Sequence, residues 1–528
     1  MKKKYFKLLF LIAGFALMQS CTKYPGLTPT NDVTSELVFS TPDGYKQVLA
    51  KVYGSFALTG NQGPAGNGDV QGIDEGFSDF YRLFWKAQEL STDEAVISWG
   101  DVGIQDFHNM NWGSNNGFLT GLYYRCLYQI TLCNDFIREC ADAKLSKRGI
   151  TGSDADNIKQ YAREARFLRA YQYWVLMDLY GNPPFITEES AIGGAPPKQA
   201  KRADVYAYVV KELTDLEATM PAPKSNEYGR ADLGAVWALL ARVYLNAGVY
   251  SGTSRYKDAI TYSSKVIGGG YALLSDYASL MRADNNIGNT ESIFTINYDG
   301  LRTQGYGGTT FLTHASVGGS MSSSQFGIGG GWSGIRTTKN LVNLFPDVNG
   351  TLDKRAQFYT NGQNKDINNL TSFTDGYAIT KYRNVKSDGS IGQSQDFSDI
   401  DMPLFRLPEM YLIYAEAVLR GGTGGTNVQA LQYINTLRAR AYGGTGGAIS
   451  SSQLNLDFIL DERARELYWE GFRRTDLVRY NRFVESSYLW PWKGGVSSGS
   501  SVSSYRKLYP LPSRDLNVNT NLVQNPGY

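Results

Sequence analysis

The sequence predicts a mostly α-helical protein in which tetratricopeptide-like helix pairs pack against an irregular, loop-rich region with a few short strands. Apolar residues recur at helical spacing towards both ends of the chain. Between about residues 284 and 402 the sequence turns to Gly, Ser, Asn and Thr with short apolar runs such as "SIFTINY", which favours strands and long loops. Binding residues are usually mounted on such loops above a rigid scaffold.

The helices are marked by their periodicity and by the residues that end them. Residues 159–180 place Ala165, Leu168 and Val175 on one stripe, and Gly181 ends this helix. Small residues in the following helices indicate close approach between neighbours. Further helices are predicted at 231–248, 256–270, 407–422, 428–444 and 456–483. Helix pairs of this kind resemble tetratricopeptide units, although no clean 34-residue period is present.

The N-terminus indicates export. A cationic start, "MKKKYFK", precedes the apolar run "LLFLIAGFALM", and Ser20 and Cys21 follow at once. This run is shorter than the ~20 apolar residues of a spanning helix. Residues 1–20 therefore predict a lipoprotein signal peptide, with Cys21 as the lipidated first residue. Each buried acyl CH₂ contributes about 0.8 kcal/mol, so two or three chains anchor a protein firmly to a membrane.

The charge and the aromatic content of the chain restrict the class of partner that it is expected to bind. The chain has 52 basic and 50 acidic residues, a formal net charge of +2, so it lacks the basic excess of a nucleic-acid-binding protein. Aromatic residues make up 13% of the chain, with 36 Tyr and 9 Trp. Because Tyr and Trp combine an apolar face with a polar tip, this composition favours an uncharged, amphipathic ligand.

The three cysteines beyond Cys21 are predicted to be buried free thiols. Cys126, Cys133 and Cys140 lie seven residues apart on one helical stripe. That spacing is too long for a tetrahedral metal site or a disulfide within one helix.

The sequence contains few motifs that are typical of catalysis or of cofactor binding. The chain has only two histidines, His108 and His314, and neither an H-E-x-x-H nor a C-x-x-C motif occurs. A glycosidase needs only two carboxylates, and the acidic pairs in "DEG" at 74–76 and "TDEA" at 92–95 keep that alternative open. No cofactor is predicted. The stretch 283–289, "ADNNIGN", has oxygen ligands but lacks the spacing of a calcium loop, and a structural cation such as calcium stays open.

Residues 329–334, "GGGWSG", formally match the dinucleotide fingerprint G-x-G-x-x-G. That fingerprint needs an apolar strand before it, and the preceding residues are "SVGGSMSSSQF". We therefore interpret the stretch as glycines that leave room around Trp332 for a ligand.

Four blocks of the chain are similar to the signature blocks of the SusD/RagB family, glycan-binding outer-membrane lipoproteins of Bacteroidetes. They are "AREARFLRAYQYWVLMDLYGNPPF", "YLIYAEAVLR" with "YINTLRARA", "ILDERARELYWEGFRRTDLVRY" and "YPLPSRDLNVNTNLVQNPGY". The resemblance implies a tetratricopeptide-like helical half packed against a loop-rich half. It also implies no catalysis, a lipid-anchored, surface-exposed place on the outer membrane, and a SusC-like TonB-dependent transporter as partner.

The resemblance also implies a domain organisation. Residues 21–528 are expected to form a single SusD-like domain. Within it the helical scaffold spans about 41–280 and 403–484, the ligand-binding loops span about 60–115 and 284–402, and a family-specific segment spans 485–528.

Several loops resemble those of family members that bind starch, notably "FYRLF", "ELSTDEAVISW", "YGGTTFL" and "GGGWSGI". The resemblance implies an aromatic arc of Trp99, Tyr306 and Trp332, with Arg82 as a hydrogen-bond donor. Asp101 stands near where those members carry an asparagine, and Asp74 borders the site. The expected ligand is starch or malto-oligosaccharide, an α-1,4-glucan. The alternatives are another glycan bound by the same fold, or a glycosidase.

Overall fold

The computed structural model describes residues 34–528, so the signal peptide and Cys21 lie outside the described residues. Helices dominate this part of the chain, and none of them is both long and apolar enough to cross a membrane. The helices are α1 Ser35–Val38, α2 Pro42–Gly54, α3 Phe80–Glu89, α4 Asp106–Asn109, α5 Gly117–Glu139, α6 Asp142–Lys147, α7 Gly152–Leu179, α8 Arg202–Leu216, α9 Leu233–Leu245, α10 Ala247–Ser251, α11 Tyr256–Ile267, α12 Gly308–Ala315, α13 Lys339–Val342, α14 Leu407–Leu419, α15 Asn427–Tyr442, α16 Leu456–Leu467, α17 Arg473–Arg479 and α18 Ser513–Val518.

The strands are short and pair antiparallel, two by two. They are β1 Val96–Ile97, β2 Ser292–Ile296, β3 Ile335–Arg336, β4 Phe358–Tyr359, β5 Ala378–Ile379 and β6 Met402–Arg406. β1 pairs with β3, β2 with β6, and β4 with β5. The predicted mostly helical fold with a few short strands is confirmed.

The helices form a continuous stack in which neighbours in sequence are often neighbours in space. α5 packs on α7, α7 on α8, α9 on α11, and α11 and α15 on α14. Asp232 caps α9 by accepting hydrogen bonds from the N–H groups of Gly234 and Ala235 at 2.8 and 3.2 Å. Gly234 permits close packing, because a Cβ there would lie 2.1 Å from the Tyr271 hydroxyl.

α7 ends where the sequence predicts but begins earlier. Its last turn is followed by Gly181 at φ +77°, a left-handed conformation that favours glycine. Its first residue is Gly152 rather than a residue near 159, because polar residues continue the helix beyond its buried stripe. The predicted boundary therefore marked only the part of the helix whose apolar stripe is buried.

Two helices, α12 and the four-residue α13, interrupt the region in which strands and loops were expected. α12 has the sequence "GTTFLTHA", and all of its residues are buried. The Asp79 side chain accepts a hydrogen bond from the Gly308 N–H at 2.8 Å and so holds its first residue. Burial between neighbouring elements outweighs the weak helix propensity of its threonines.

The predicted buried thiols are confirmed. Cys126, Cys133 and Cys140 are free and buried, and they lie along α5 and its C-terminal cap. Burial raises the pKa of all three thiols, which keeps them protonated and unreactive.

Two buried carboxyl groups, Glu89 and Glu94, join α3 to the turn that follows α16. Glu89 accepts hydrogen bonds from the N–H groups of Gly471 and Phe472 at 2.7 and 3.1 Å. Glu94 accepts one from the Trp469 N–H at 3.2 Å. Burial raises the pKa of Glu89 to about 7 and raises the pKa of Glu94, which is raised further by the charge of Glu89.

This pair predicts a pH dependence of stability. Because the folded-state pKa of Glu89 lies above its unfolded value, the stabilisation it gives is complete below about pH 4.5 and is lost as the pH rises through 7. We expect Glu89→Gln to keep the two backbone hydrogen bonds. Because glutamine does not titrate, the free energy of unfolding of the variant, relative to that of wild type, should rise by about 2–3 kcal/mol between pH 5 and pH 8. Urea unfolding at several pH values measures the difference. The exposed Glu36→Gln is the control, and parallel curves for wild type and Glu89→Gln would contradict the assignment.

Candidate functional site

The structure brings three predicted aromatic residues, Trp99, Tyr306 and Trp332, to one surface. The ring centroids of Trp99 and Trp332 lie 6.4 Å apart with their planes at 45°. Tyr306 lies 6.1 Å from Trp332 at 70°. All three side chains are half-buried. The planes of successive rings are turned relative to each other, and we call these three rings the aromatic platform.

Pairing of β1 with β3 places Trp99 beside Trp332. Immediately after β1, the Ser98 N–H donates to the Gly334 carbonyl at 2.9 Å. The Trp99 indole N–H donates to the Trp332 carbonyl at 3.0 Å. Gly334 is needed for this approach, because a Cβ there would lie 2.6 Å from the Trp99 ring.

Trp332 rests on His314, a residue that the sequence did not assign to the site. The two rings stack with centroids 4.7 Å apart and planes at 26°. The Trp332 N–H donates to the His314 carbonyl at 2.8 Å, and the imidazole Nδ1 lies 2.7 Å from the Gly330 carbonyl oxygen. Since a carbonyl only accepts, we assign the proton to Nδ1. Burial lowers the pKa of His314, so the imidazole that supports Trp332 is neutral at pH 7.

Arg82 lies beneath the platform on the first turn of α3. Its Nη1 donates to the carbonyls of Gly76 and Tyr306 at 3.1 and 2.6 Å. Its guanidinium carbon lies 4.6 Å from the Phe311 ring centroid and 5.6 Å from that of Trp99. Burial lowers the pKa of Arg82 to about 10, so it stays charged. Its Nη2 makes no hydrogen bond within residues 34–528, and the residue as a whole is only 7% exposed.

The two predicted acidic residues lie at the edge of this arrangement. Asp74 and Asp101 are both exposed. Asp74 also caps a 3₁₀ turn, accepting a hydrogen bond from the Gly76 N–H at 2.8 Å. With the buried Asp79, their negative charges favour the charged form of Arg82. All six predicted residues therefore belong to one neighbourhood.

Phe397 extends the platform by a fourth ring. Its centroid lies 5.7 Å from that of Tyr306, with planes at 38°, and its side chain is half-buried. It comes from the loop "SQDFSDI", where no pattern distinguishes it from the other phenylalanines. Like His314, it joins the site through tertiary contacts.

The structure disfavours one alternative left open by the sequence, and it agrees with the rejection of the phosphate-loop interpretation. Asp93 and Glu94, one candidate glycosidase pair, are 1% and 2% exposed, and Asp93 forms an ion pair with Arg473 at 2.7 Å. The GGGWSG stretch follows a 3₁₀ turn at Ser323–Phe326 and leads into the two-residue strand β3. It therefore lacks the strand-to-helix context of a phosphate loop.

A sizeable cavity lies away from the predicted site residues. Residues 34–528 contain no metal site. A cavity of about 310 Å³, lined in part by α2 and β2, contains none of the predicted site residues. An open aromatic surface suits a polymer better than a cavity of this size does. No cluster of three or more His, Cys, Asp or Glu in residues 34–528 is placed to hold a metal ion.

Comparisons with known proteins agree on one family. Residues 352–528 match the model of the SusD family, and residues 84–245 match a model described as "Starch-binding associating with outer membrane". The chain is 36% identical to the starch-binding protein SusD of Bacteroides thetaiotaomicron, with all of both chains covered. No enzyme family is among these matches.

Solved structures show the same fold. The surface glycan-binding protein A of Bacteroides fluxus aligns with a TM-score of 0.71 and 22% identity, covering 92% of this chain and all of that one. The surface glycan-binding protein A of B. thetaiotaomicron, solved with laminarihexaose, aligns with a TM-score of 0.69 and 20% identity, covering 92% and 99%.

The fit of Gly334 against Trp99 gives a testable prediction. We expect Gly334→Ala to force Trp99 away from Trp332 and to lower the free energy of unfolding by about 1–3 kcal/mol. Chemical unfolding followed by tryptophan fluorescence measures both effects. Gly330→Ala is the matched control, because nothing lies within 4 Å of a Cβ at that position. Equal stability of the two variants would contradict this packing.

Proposed function

This chain belongs to the SusD family, and from that premise we propose that it is a non-catalytic lipoprotein of the outer membrane that binds starch and malto-oligosaccharides at the cell surface. In this proposal it passes them to a SusC-like TonB-dependent transporter. The aromatic platform is the observation that carries the proposal. No cofactor is needed for binding of this kind.

The platform suits the chemistry of a pyranose ring. Such a ring has an apolar face of C–H groups and a polar rim, so an aromatic side chain covers the face while the hydroxyl groups remain solvated. Each ring covers about 50–100 Å² of sugar, which corresponds to about 1–2.5 kcal/mol at ~25 cal/mol/Å², before ordering costs.

The angles between the ring planes of the platform support an α-1,4-glucan in particular. Consecutive glucose units in such a chain turn steadily, so the chain is helical, whereas a β-1,4-glucan is flat. Ring planes turned by 45° and 70° can follow the helical chain and cannot all lie against the flat one. The resulting selection is by shape more than by hydrogen bonding.

Polar groups beneath and beside the platform supply the remaining contacts. Nη2 of Arg82 can donate to sugar hydroxyls, and its guanidinium is already oriented by the carbonyls of Gly76 and Tyr306. The carboxylates of Asp74 and Asp101 can accept from hydroxyls that face them. Because protein carbonyls already order Arg82, the ligand gains these bonds at a reduced entropic cost.

The proposed location and partner rest on the family and on the N-terminus. The matched model's description associates it with the outer membrane. Cys21 follows a signal-like run and is the proposed site of lipidation. Protease treatment of intact cells tests surface exposure, since a protein on the inner leaflet would be protected.

Another glycan is the second candidate ligand, because one structural neighbour is solved with laminarihexaose. Laminarihexaose is a β-1,3-glucan, whose chain also curves. Asp74 and Glu75 are the remaining acidic pair for a glycosidase, but Asp74 is engaged in capping.

The platform predicts strong effects of removing single rings. We expect Trp332→Ala and Trp99→Ala each to weaken maltoheptaose binding by roughly 5- to 70-fold, the equivalent of the stacking energy of one ring. Isothermal titration calorimetry measures the affinities. Trp237→Ala, which removes a half-buried indole on α9 outside the platform, is the control and should bind as wild type does. Unchanged affinity in both platform variants would refute the assigned site.

Ligand choice and lack of catalysis are tested together with three oligosaccharides. We expect maltoheptaose to bind at least about tenfold more tightly than laminarihexaose or cellohexaose, because the proposed ligand is an α-1,4-glucan whose helical turn follows the angles between the ring planes. We also expect overnight incubation with maltoheptaose to release no reducing ends. Tighter binding of laminarihexaose would favour the second ligand, and sustained release of reducing ends would establish a glycosidase.

A further inference from the structure

A second, smaller cavity carries a concentration of positive charge. It measures about 180 Å³ and is lined by Ala278, Arg282, Gln357, Thr380, Lys381 and Arg383. No residue of the aromatic platform lines it. Its volume equals that of roughly six waters, which is room for a small ion with part of its hydration shell.

The backbone holds two of these cations next to each other. Arg282 and Arg383 are partners in a parallel β-bridge, and the Arg383 N–H donates to the Met281 carbonyl at 3.1 Å. Both side chains are half-buried. Their proximity is therefore set by the fold.

Neither arginine has a negative partner in the described part of the chain. No carboxylate oxygen of residues 34–528 lies within 4.0 Å of Arg282 or Arg383. Arg282 makes one long hydrogen bond, to the Lys386 carbonyl at 3.4 Å, and Arg383 makes one to the Thr380 carbonyl at 3.2 Å. Asp284, which is close in sequence, accepts a hydrogen bond from the Ser387 N–H at 2.9 Å instead.

The positive charge of Lys381, the third cation that lines the cavity, is neutralised by Glu470. Nζ of Lys381 lies 2.6 Å from Glu470 and also donates to the Tyr468 carbonyl at 2.8 Å. The uncompensated charge of the cavity therefore comes from the two guanidinium groups.

This arrangement contrasts with the treatment of cations elsewhere in the protein. Arg355 and Arg406, both fully buried, are each bonded to three carboxylates. In the cavity, burial and then the charge of Arg282 lower the pKa of Arg383, and no acidic residue offsets either effect. An anion from solution would remove that cost.

We propose that this cavity binds a phosphate-type oxyanion between the guanidinium groups of Arg282 and Arg383. A guanidinium presents two parallel N–H groups that match a pair of oxygens on one oxyanion. The Gln357 amide and the Thr380 hydroxyl line the same cavity and supply uncharged donors. The ligand is either free phosphate or the phosphate of a sugar ester, since both present the same group. This site is independent of the aromatic platform and of the glycan proposal.

Calorimetric titration of the purified mature protein with sodium phosphate, at constant ionic strength set by NaCl, tests the site. We expect saturable binding, and a loss of affinity of at least about tenfold in Arg282→Gln and in Arg383→Gln, since each removes a charge-assisted pair of hydrogen bonds. Arg302→Gln is the control, because it removes an exposed guanidinium outside the cavity and should change nothing.

Further measurements separate the outcomes. Thermal unfolding of each variant shows whether it is folded, and Arg383→Lys, which keeps the charge but loses the paired donors, should bind more weakly than wild type. A parallel titration with glucose 6-phosphate distinguishes the two sources: tighter binding than phosphate indicates a sugar ester. Heats indistinguishable from those of NaCl, or equal weak binding in wild type and both glutamine variants, would overturn the proposal.

Discussion

Glu466 is at the centre of a buried network of ion pairs. The packing of the helical half of the protein against its loop-rich half depends on this network. It accepts hydrogen bonds from Arg406 at 2.6 Å, Arg440 at 2.5 Å and Arg355 at 3.2 Å. These arginines come from β6, from α15 and from the loop that precedes β4, whereas Glu466 belongs to α16. The surrounding positive charge lowers the pKa of Glu466 to about 2. Loss of one partner from such a network typically costs about 3–5 kcal/mol, because a buried charge is left unpaired.

A second ion pair extends this constraint to the platform. Arg473 on α17 binds both carboxylate oxygens of Asp93 at 2.7 Å, just before β1. Thr337, just after β3, donates to the Glu94 carbonyl at 2.8 Å. β1 leads into Trp99, and Trp332 comes just before β3. The tryptophans are thus carried by short strands that the charged core holds in place, which explains how a loop-rich surface can present rings at fixed angles.

The sequence predicted the parts of this structure that depend on local pattern. The buried stripe of α7, the thiol row of α5 and the convergence of Trp99, Tyr306 and Trp332 were all available from spacing or from resemblance. α12 was not, because its threonines favour strands and only burial makes it a helix. His314 and Phe397 joined the site through contacts between distant segments, which no local pattern records. The glycosidase pair at Asp93 failed for the same reason, since its partner Arg473 lies 380 residues away.

The three thiols of α5 have a practical consequence for studying this protein in solution. Because burial keeps them protonated, they are closed to maleimide reagents in the folded state, so no cysteine within residues 34–528 competes for a label. A cysteine introduced at the exposed, uncrowded Gly330 would then carry a fluorophore two residues from Trp332. Quenching of that dye by the indole would turn the protein into a sensor of what lies on its surface, with its native cysteines left in place.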